Sequence, residues 1–362
     1  MAAPLASPLI RSSRLSSLSN ALVNLKLETV HPAMSFKSRG IGYFVECAKQ
    51  AHGSGLHVVV ASGGNAGLAA ACAARQLQVR CTVFIPEGAT QTTINLLEGE
   101  DADVVVGGKD YAEALQAAKI LVDSKENAVM VPAYDDPVVW EGHSSLVSEL
   151  AHQLPQTRPR AIFCSVGGGG LLGGVIKGCA RAGWDAVPIV ALETIGSDCF
   201  YHSLALNRQG QGVDLPAGVK AIYDQTHQVW LAHFSSFASK ASGSLGASQP
   251  AAGVVKMALE RAGPVISVTV PDELSMQAAY NFADDHQLLV ELACSTTLVP
   301  AYKKELLDEI FPGTDERPFV FVVCGGFKIS VQDLTSYRAQ AEAYEKEFLE
   351  VYCDGKVISV RK

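Results

Sequence analysis

The chain has none of the usual handles for metal, nucleic acid or membrane. Its nine cysteines are scattered singly, with no C-x-x-C pair. That excludes a zinc ribbon and a disulfide framework, and predicts reduced thiols in a cytoplasmic protein. Its nine histidines show no H-E-x-x-H spacing, no glycine loop runs into the G-K-[ST] of a phosphate-binding P-loop, and His143-Ser144 has no nucleophile elbow to support it. Net charge is −8 with no long basic run, which argues against nucleic acid or anionic lipid as a partner. No apolar stretch approaches the roughly 18 residues that cross a bilayer, and no repeat of solenoid period is present. Aromatics are sparse at 7%, yet 48% of the chain is apolar and 18% charged, the composition of a globular enzyme or binding protein.

What is present is alternation. Short β-branched runs (His57–Ala61, Cys81–Ile85, Val104–Val106, Ala161–Val166, Pro188–Leu192, Phe319–Val323) are interleaved with Ala-rich helical stretches. The stretches are Ile41–Gln50, Leu68–Gln76, Tyr111–Ser124, Leu171–Ala182, Asp272–His286 and Ser295–Asp308. The pattern predicts an α/β protein with open, twisted, mostly parallel sheets and helices on both faces. A length of 362 residues suggests about two domains. Pro132–Pro137 interrupts the pattern as a boundary would. Asn207–Ser248, rich in Gly, Ser, Gln and Ala, predicts loop and short helices, and the charged Glu342–Val351 stretch predicts a helical surface tail. Residues 1–20 carry Arg11 and Arg14 and no acid. They resemble a transit peptide weakly, but run without a spacer into the strand-like Val23–Leu27, so a structural segment is expected.

Four segments carry candidate chemistry. Lys37, in Ser35-Phe36-Lys37-Ser38-Arg39-Gly40, sits just ahead of a predicted helix, whose dipole disfavours an ammonium and favours a nucleophilic amine. Such an amine can form a Schiff base with a carbonyl cofactor; otherwise a lysine there is a solvated surface charge. Ser62-Gly63-Gly64-Asn65-Ala66-Gly67 falls between a strand and a helix, where open α/β sheets bind ligands, and its amides suit a carboxylate. Taken alone, it is equally a tight turn. Gly167, Gly168, Gly169 and Gly170 form a bare backbone loop suited to a phosphate. The same loop admits a second interpretation. Gly168-x-Gly170-x-x-Gly173, with Glu193 on the next strand, matches the dinucleotide fingerprint of an NAD-dependent oxidoreductase. Finally, Cys324 ends the apolar strand Phe319–Val323 and precedes two glycines; a buried cysteine is otherwise plain core.

In order along the chain, these segments resemble the serine/threonine dehydratase family of pyridoxal 5'-phosphate enzymes (the tryptophan synthase β-like fold type II). Arg75-Gln76-Leu77, Trp140-Glu141-Gly142-His143, Leu192-Glu193-Thr194 and Ser244-Leu245-Gly246 add to the match. The similarity runs from about Pro8 to about Ser330 and is greatest to cytosolic L-serine dehydratases. It implies Lys37 as the catalytic, Schiff-base residue and Phe36 packed against the cofactor ring. Asn65 would bond the ring hydroxyl, Gly167 to Gly170 would hold the phosphate, and Cys324 would face the ring nitrogen. Ser62, Gly63, Gly64 and Asn65 would bind the substrate carboxylate. It further implies a large domain of residues 1–37 and 136–330, a small inserted domain of 38–135, a tail of 331–362, and a homodimer. A monovalent or divalent cation beside Glu193 is left open. The implied reaction is dehydration and deamination of L-serine, with L-threonine as a second substrate; β-replacement, racemisation and binding without turnover are the alternatives within the scaffold.

The chain departs from the family pattern at several points. Met34 replaces a small residue, Glu291-Leu292 stands for Glu-Pro, Phe327-Lys328 replaces a smaller and more polar pair, and Phe200–Leu245 is longer. Gly63 lies where the family's racemases place a serine, which predicts elimination over racemisation.

Overall fold

The computed structural model describes residues 6–210 and 212–362. Its strands are β1 (Leu9–Arg11), β2 (Val23–Leu27), β3 (His57–Ala61), β4 (Arg80–Ile85), β5 (Asp103–Val106), β6 (Ala128–Met130), β7 (Ala161–Ser165), β8 (Ile189–Thr194), β9 (Val219–Asp224), β10 (Val229–Phe234), β11 (Val265–Val270), β12 (Phe319–Val323), β13 (Phe348–Cys353) and β14 (Lys356–Arg361). A four-stranded sheet of order β5-β4-β3-β6 is parallel throughout. An eight-stranded sheet has the order β1-β2-β12-β7-β8-β11-β13-β14. Its centre, β2 to β11, is parallel, and only β1 and the β13–β14 hairpin are antiparallel. Strands β7, β8 and β12 are buried at every residue. Because successive side chains alternate between faces, that burial requires helices on both, as the sequence pattern predicts.

Two expectations about connecting segments are corrected. Asn207–Ser248 is not only loop and short helix: it contains the β9–β10 hairpin, a two-stranded sheet of its own. The tail is helical only over Val331–Ala343; Phe348–Cys353 then alternates buried and exposed residues and joins the large sheet beside β11. Asp354-Gly355, at φ 45° and 84°, makes the tight turn into β14. The predicted helix Ser295–Asp308 is likewise broken into short turns. Ser295 and Thr296 hydroxyls bond the Leu292 carbonyl, and Pro300 brings no N–H, so the helix ladder cannot run through.

The helix Lys37–His52 is the piece that positions the site. It packs on the helices Asn65–Gln76 and Pro137–Gln153. A Cβ on Gly40 would lie 2.4 Å from His143 Nε2, and one on Gly142 would lie 2.6 Å from the Arg39 carbonyl, so glycine at both positions lets the two helices approach closely. A buried ion network locks the same helix from behind. Arg39 reaches Glu28 (2.5 Å) and Glu149 (2.6 Å), and Lys26 reaches Glu149 (2.6 Å). Burial alone would raise the Glu28 carboxyl, but hydrogen bonds from His31 and Arg39 overcome it and hold the group at about 2.

Candidate active site

Lys37 begins its helix. The preceding residues, Met34 to Phe36, run antiparallel to Cys324–Gly326: Phe36 N–H donates to the Cys324 carbonyl (3.0 Å) and Gly326 N–H to the Met34 carbonyl (2.8 Å). This pairing brings the Lys37 and Cys324 segments together across most of the chain. Met34 makes the turn at φ 52°, a conformation that favours glycine. Within the first turn of the helix, Gly40 N–H donates to His143 Nδ1 (3.1 Å). That contact fixes the neutral Nε2–H tautomer of an imidazole whose pKa burial and the nearby Lys37 hold well down.

The Lys37 amine donates to the Ala133 carbonyl at 2.5 Å and lies 5.3 Å from the Phe36 ring centre. Burial lowers its pKa to about 8, opposed only by Cys324. The sequence points to a depressed amine and attributes it to the helix dipole, whereas in the structure desolvation is the cause. Phe36 is half-buried, with His143 behind it at 5.0 Å between ring centres. Cys324 lies 3.4 Å from the Ser165 hydroxyl, and Cys294 accepts from Gly325 N–H at 3.4 Å.

Directly after Ala133, the Tyr134 ring lies against the glycine loop. A Cβ on Gly168 would fall 2.3 Å from that ring and one on Gly167 2.8 Å from the Leu245 carbonyl, while Gly169 has φ 93°. Side chains are therefore excluded. Among the described residues, none of the N–H groups of Gly167, Gly168, Gly169 and Gly170 donates to a protein acceptor. Such a cradle at the start of the helix Gly170–Arg181 suits a phosphate, and the buried amine suits a carbonyl. A ligand carrying both groups fits the pair. The dinucleotide interpretation loses its acid: Glu193 is fully buried, and its two oxygens accept from Phe200 and Tyr201 N–H at 2.9 and 2.7 Å. No group of three or more His, Cys, Asp or Glu side chains that could hold a metal exists among the described residues.

Asn65 opens the helix after the Ser62–Gly64 loop, and Gly64 N–H donates to the Ser62 hydroxyl (3.3 Å). The partner of Asn65 is one that the motifs do not reveal. Its amide donates to both oxygens of Glu291 (3.1 Å each), and its carbonyl accepts from Phe327 N–H (3.3 Å). Glu291, itself 4% exposed, also accepts from the Ser244 hydroxyl (2.5 Å) and from Lys328 N–H (2.8 Å). One carboxylate thus ties four segments and fixes which way the Asn65 amide points. In the sequence, Glu291 stands out only through its neighbour Leu292. A separate cavity of about 460 Å³, lined by Ser54, His57, Arg80 and Lys125, opens at the N-terminal end of β3. It holds none of these residues and lies away from the strand ends where α/β sheets bind ligands.

Comparison with known proteins agrees with this geometry. Residues 3–325 match the family described as pyridoxal-phosphate dependent enzyme. The L-serine dehydratase/L-threonine deaminase of Mus musculus is 37% identical over 92% of this chain and 94% of its own. The L-serine dehydratase of Saccharomyces cerevisiae is 30% identical over 90% and 94%. The crystal structure of a fungal L-serine ammonia-lyase from Rhizomucor miehei superposes with a TM-score of 0.81 at 31% identity, covering 93% of this chain and 99% of that one. With a half-buried lysine, a bare glycine cradle and relatives matched over nine-tenths of the chain, the chain belongs to the pyridoxal-phosphate-dependent enzymes, in their serine/threonine dehydratase branch.

Proposed function

We propose that this enzyme eliminates water from L-serine to give pyruvate and ammonia, and acts on L-threonine to give 2-oxobutanoate. The observation that carries the reading is the buried Lys37 amine, lowered to about 8, beside a glycine cradle with free N–H groups. Bound there, pyridoxal phosphate supplies an aldehyde for the amines and a ring that delocalises charge from the substrate α-carbon. The chain does the rest. Lys37, neutral in a useful fraction near pH 8, takes the α-proton. Gly167 to Gly170 hold the phosphate, Phe36 packs on the ring, and Asn65, oriented by Glu291, donates to the ring hydroxyl. Ser62, Gly63 and Gly64 receive the substrate carboxylate. Cys324 would face the ring nitrogen with a thiol, a weak hydrogen-bonding partner that would not hold a proton there as a carboxylate would, which suits loss of the β-hydroxyl. The enzyme works in the cytoplasm, in keeping with nine free cysteines, and as a homodimer, a family-based expectation that sedimentation would check. The direct test is a 2-oxo acid and ammonia assay on the holoenzyme with L-serine. Equal yields of pyruvate and ammonia are expected, and binding without product would contradict the reading.

Two variants probe the site. A Cβ on residue 168 collides with the Tyr134 ring, and overpacking of this kind costs about 1–3 kcal/mol. Gly168→Ala should therefore lower the Tm of the apoprotein and, by displacing the loop, weaken cofactor binding by about tenfold or more, read as cofactor content after dialysis. Gly63→Ser would place a hydroxyl where the family's racemases carry one. Its Cβ would lie 3.0 Å from Ile85 Cγ2, so D-serine formation is expected to be weak in the single variant and stronger with Ile85→Ala, which removes that methyl. Chiral chromatography of the products checks it.

A further inference from the structure

Phe327-Lys328 is a departure from the family pattern that reaches the substrate loop. Lys328 follows the β12 strand, and its backbone is pinned: its own N–H donates to Glu291 Oε1 at 2.8 Å, and the preceding Phe327 N–H donates to Asn65 Oδ1 at 3.3 Å. The Phe327 side chain packs into the core of the four-stranded sheet. The segment is thus anchored on both sides of the site, and the lysine side chain projects over Gly64. A point one bond out from the Gly64 Cα, where a Cβ would stand, is 3.6 Å from Lys328 Nζ and 3.7 Å from the Ser62 hydroxyl. An ammonium and a hydroxyl therefore converge on one face of a residue that has no side chain. The Lys328 ammonium enters no salt bridge among the described residues, and the nearby Glu291 is engaged with Asn65, Ser244 and the Lys328 backbone.

We propose that Lys328 is a substrate-binding residue whose ammonium, together with the Ser62 hydroxyl, holds the α-carboxylate of the amino acid over Gly64. The inference rests on the reading of Ser62–Gly64 as the carboxylate loop. It adds a charge to a subsite that backbone amides and a hydroxyl would otherwise form alone. A charge-assisted contact is roughly twice as strong as a neutral one and is screened by salt when it is exposed, as Lys328 is.

The test compares the holoenzyme with Lys328→Met and Lys328→Arg. Two quantities are read: kcat and KM for L-serine, and the dissociation constant of L-alanine, which has the carboxylate but no leaving group, from the change in cofactor absorbance. Lys328→Met should raise both KM and the alanine constant by about tenfold, a single charge-assisted contact's worth, with kcat nearly unchanged. The parent enzyme's KM should rise with salt, and Lys328→Met should abolish that rise. Lys328→Arg should stay close to the parent. Unchanged constants in Lys328→Met at low salt would overturn the proposal while leaving the dehydratase reading intact. So would a loss confined to a dicarboxylic amino acid such as 3-hydroxyaspartate, because the ammonium would then serve the side chain. A parent enzyme that binds alanine but leaves serine unreacted would instead sink the dehydratase reading, with the Lys328 effect still read from the alanine constants.

Discussion

Lys37→Ala is expected to lower turnover of L-serine by about 10³-fold or more, the scale on which a positioned proton-transfer group acts, and to remove the covalent anchor of the cofactor as well. The two losses are separable. Cofactor retained only through the glycine cradle should exchange on dialysis, whereas in the parent it should not. Added amines such as methylamine should restore part of the rate, because they replace the base without replacing the chain. The pH dependence follows from the same burial. Because desolvation brings the amine to about 8, the neutral fraction rises most steeply as the pH passes 8 and levels off about one to two units above it. The rate at which the apoprotein takes up pyridoxal phosphate should follow that curve. A rate still climbing steeply at pH 10 would mean that the amine is solvated and that the site is not the one described.

The second large effect lies behind the site. Arg39→Met removes the cation that Glu28 and Glu149 share; Glu149 keeps Lys26, but the buried Glu28 carboxylate is left with only its hydrogen bonds to Ser7 and His31, a change that costs about 3–5 kcal/mol. The denaturant midpoint should fall accordingly. The double variant Arg39→Met with Glu28→Gln should recover part of the loss, because the stranded charge is gone. Acid should have a related effect on the parent. Glu28 is held at about 2, below its ordinary 4.5, so its contribution is complete above pH 4.5 and disappears as the pH falls towards 2. In Arg39→Met that acid-side loss should be shallower. Equal stability of parent and variant at pH 7 would show that the network is ornamental to the Lys37 helix.

How much of this could be read from the sequence depends on how local each feature is. His57–Ala61, Phe319–Val323 and Asp272–His286 have the bounds that their residues suggest, since each is an uninterrupted run closed by a clear break. Lys37, Asn65 and the four glycines are legible because their motifs lie at the ends of such runs. The β13–β14 hairpin was hidden by charged neighbours that read as helix, although Asp354-Gly355 is a strong hairpin signal. The β9–β10 hairpin lies in a polar stretch and exposes most of β9, so its periodicity carries little hydrophobic contrast. Glu291 is the instructive case. It contacts Asn65 across 226 residues of chain, and no local pattern can report a contact made by the closing of two sheets. The depressed Lys37 amine was legible in direction, but its cause was not, because burial belongs to the packed molecule and not to the hexapeptide.

One lysine, Lys37, carries the cofactor. Reducing the holoenzyme with borohydride, digesting it and mapping the labelled peptide by mass tests that claim directly. The expected result is a single phosphopyridoxyl adduct on the peptide containing Lys37, with loss of activity in proportion to labelling. An adduct on another lysine, or none in a protein that still converts L-serine to pyruvate, would contradict the account.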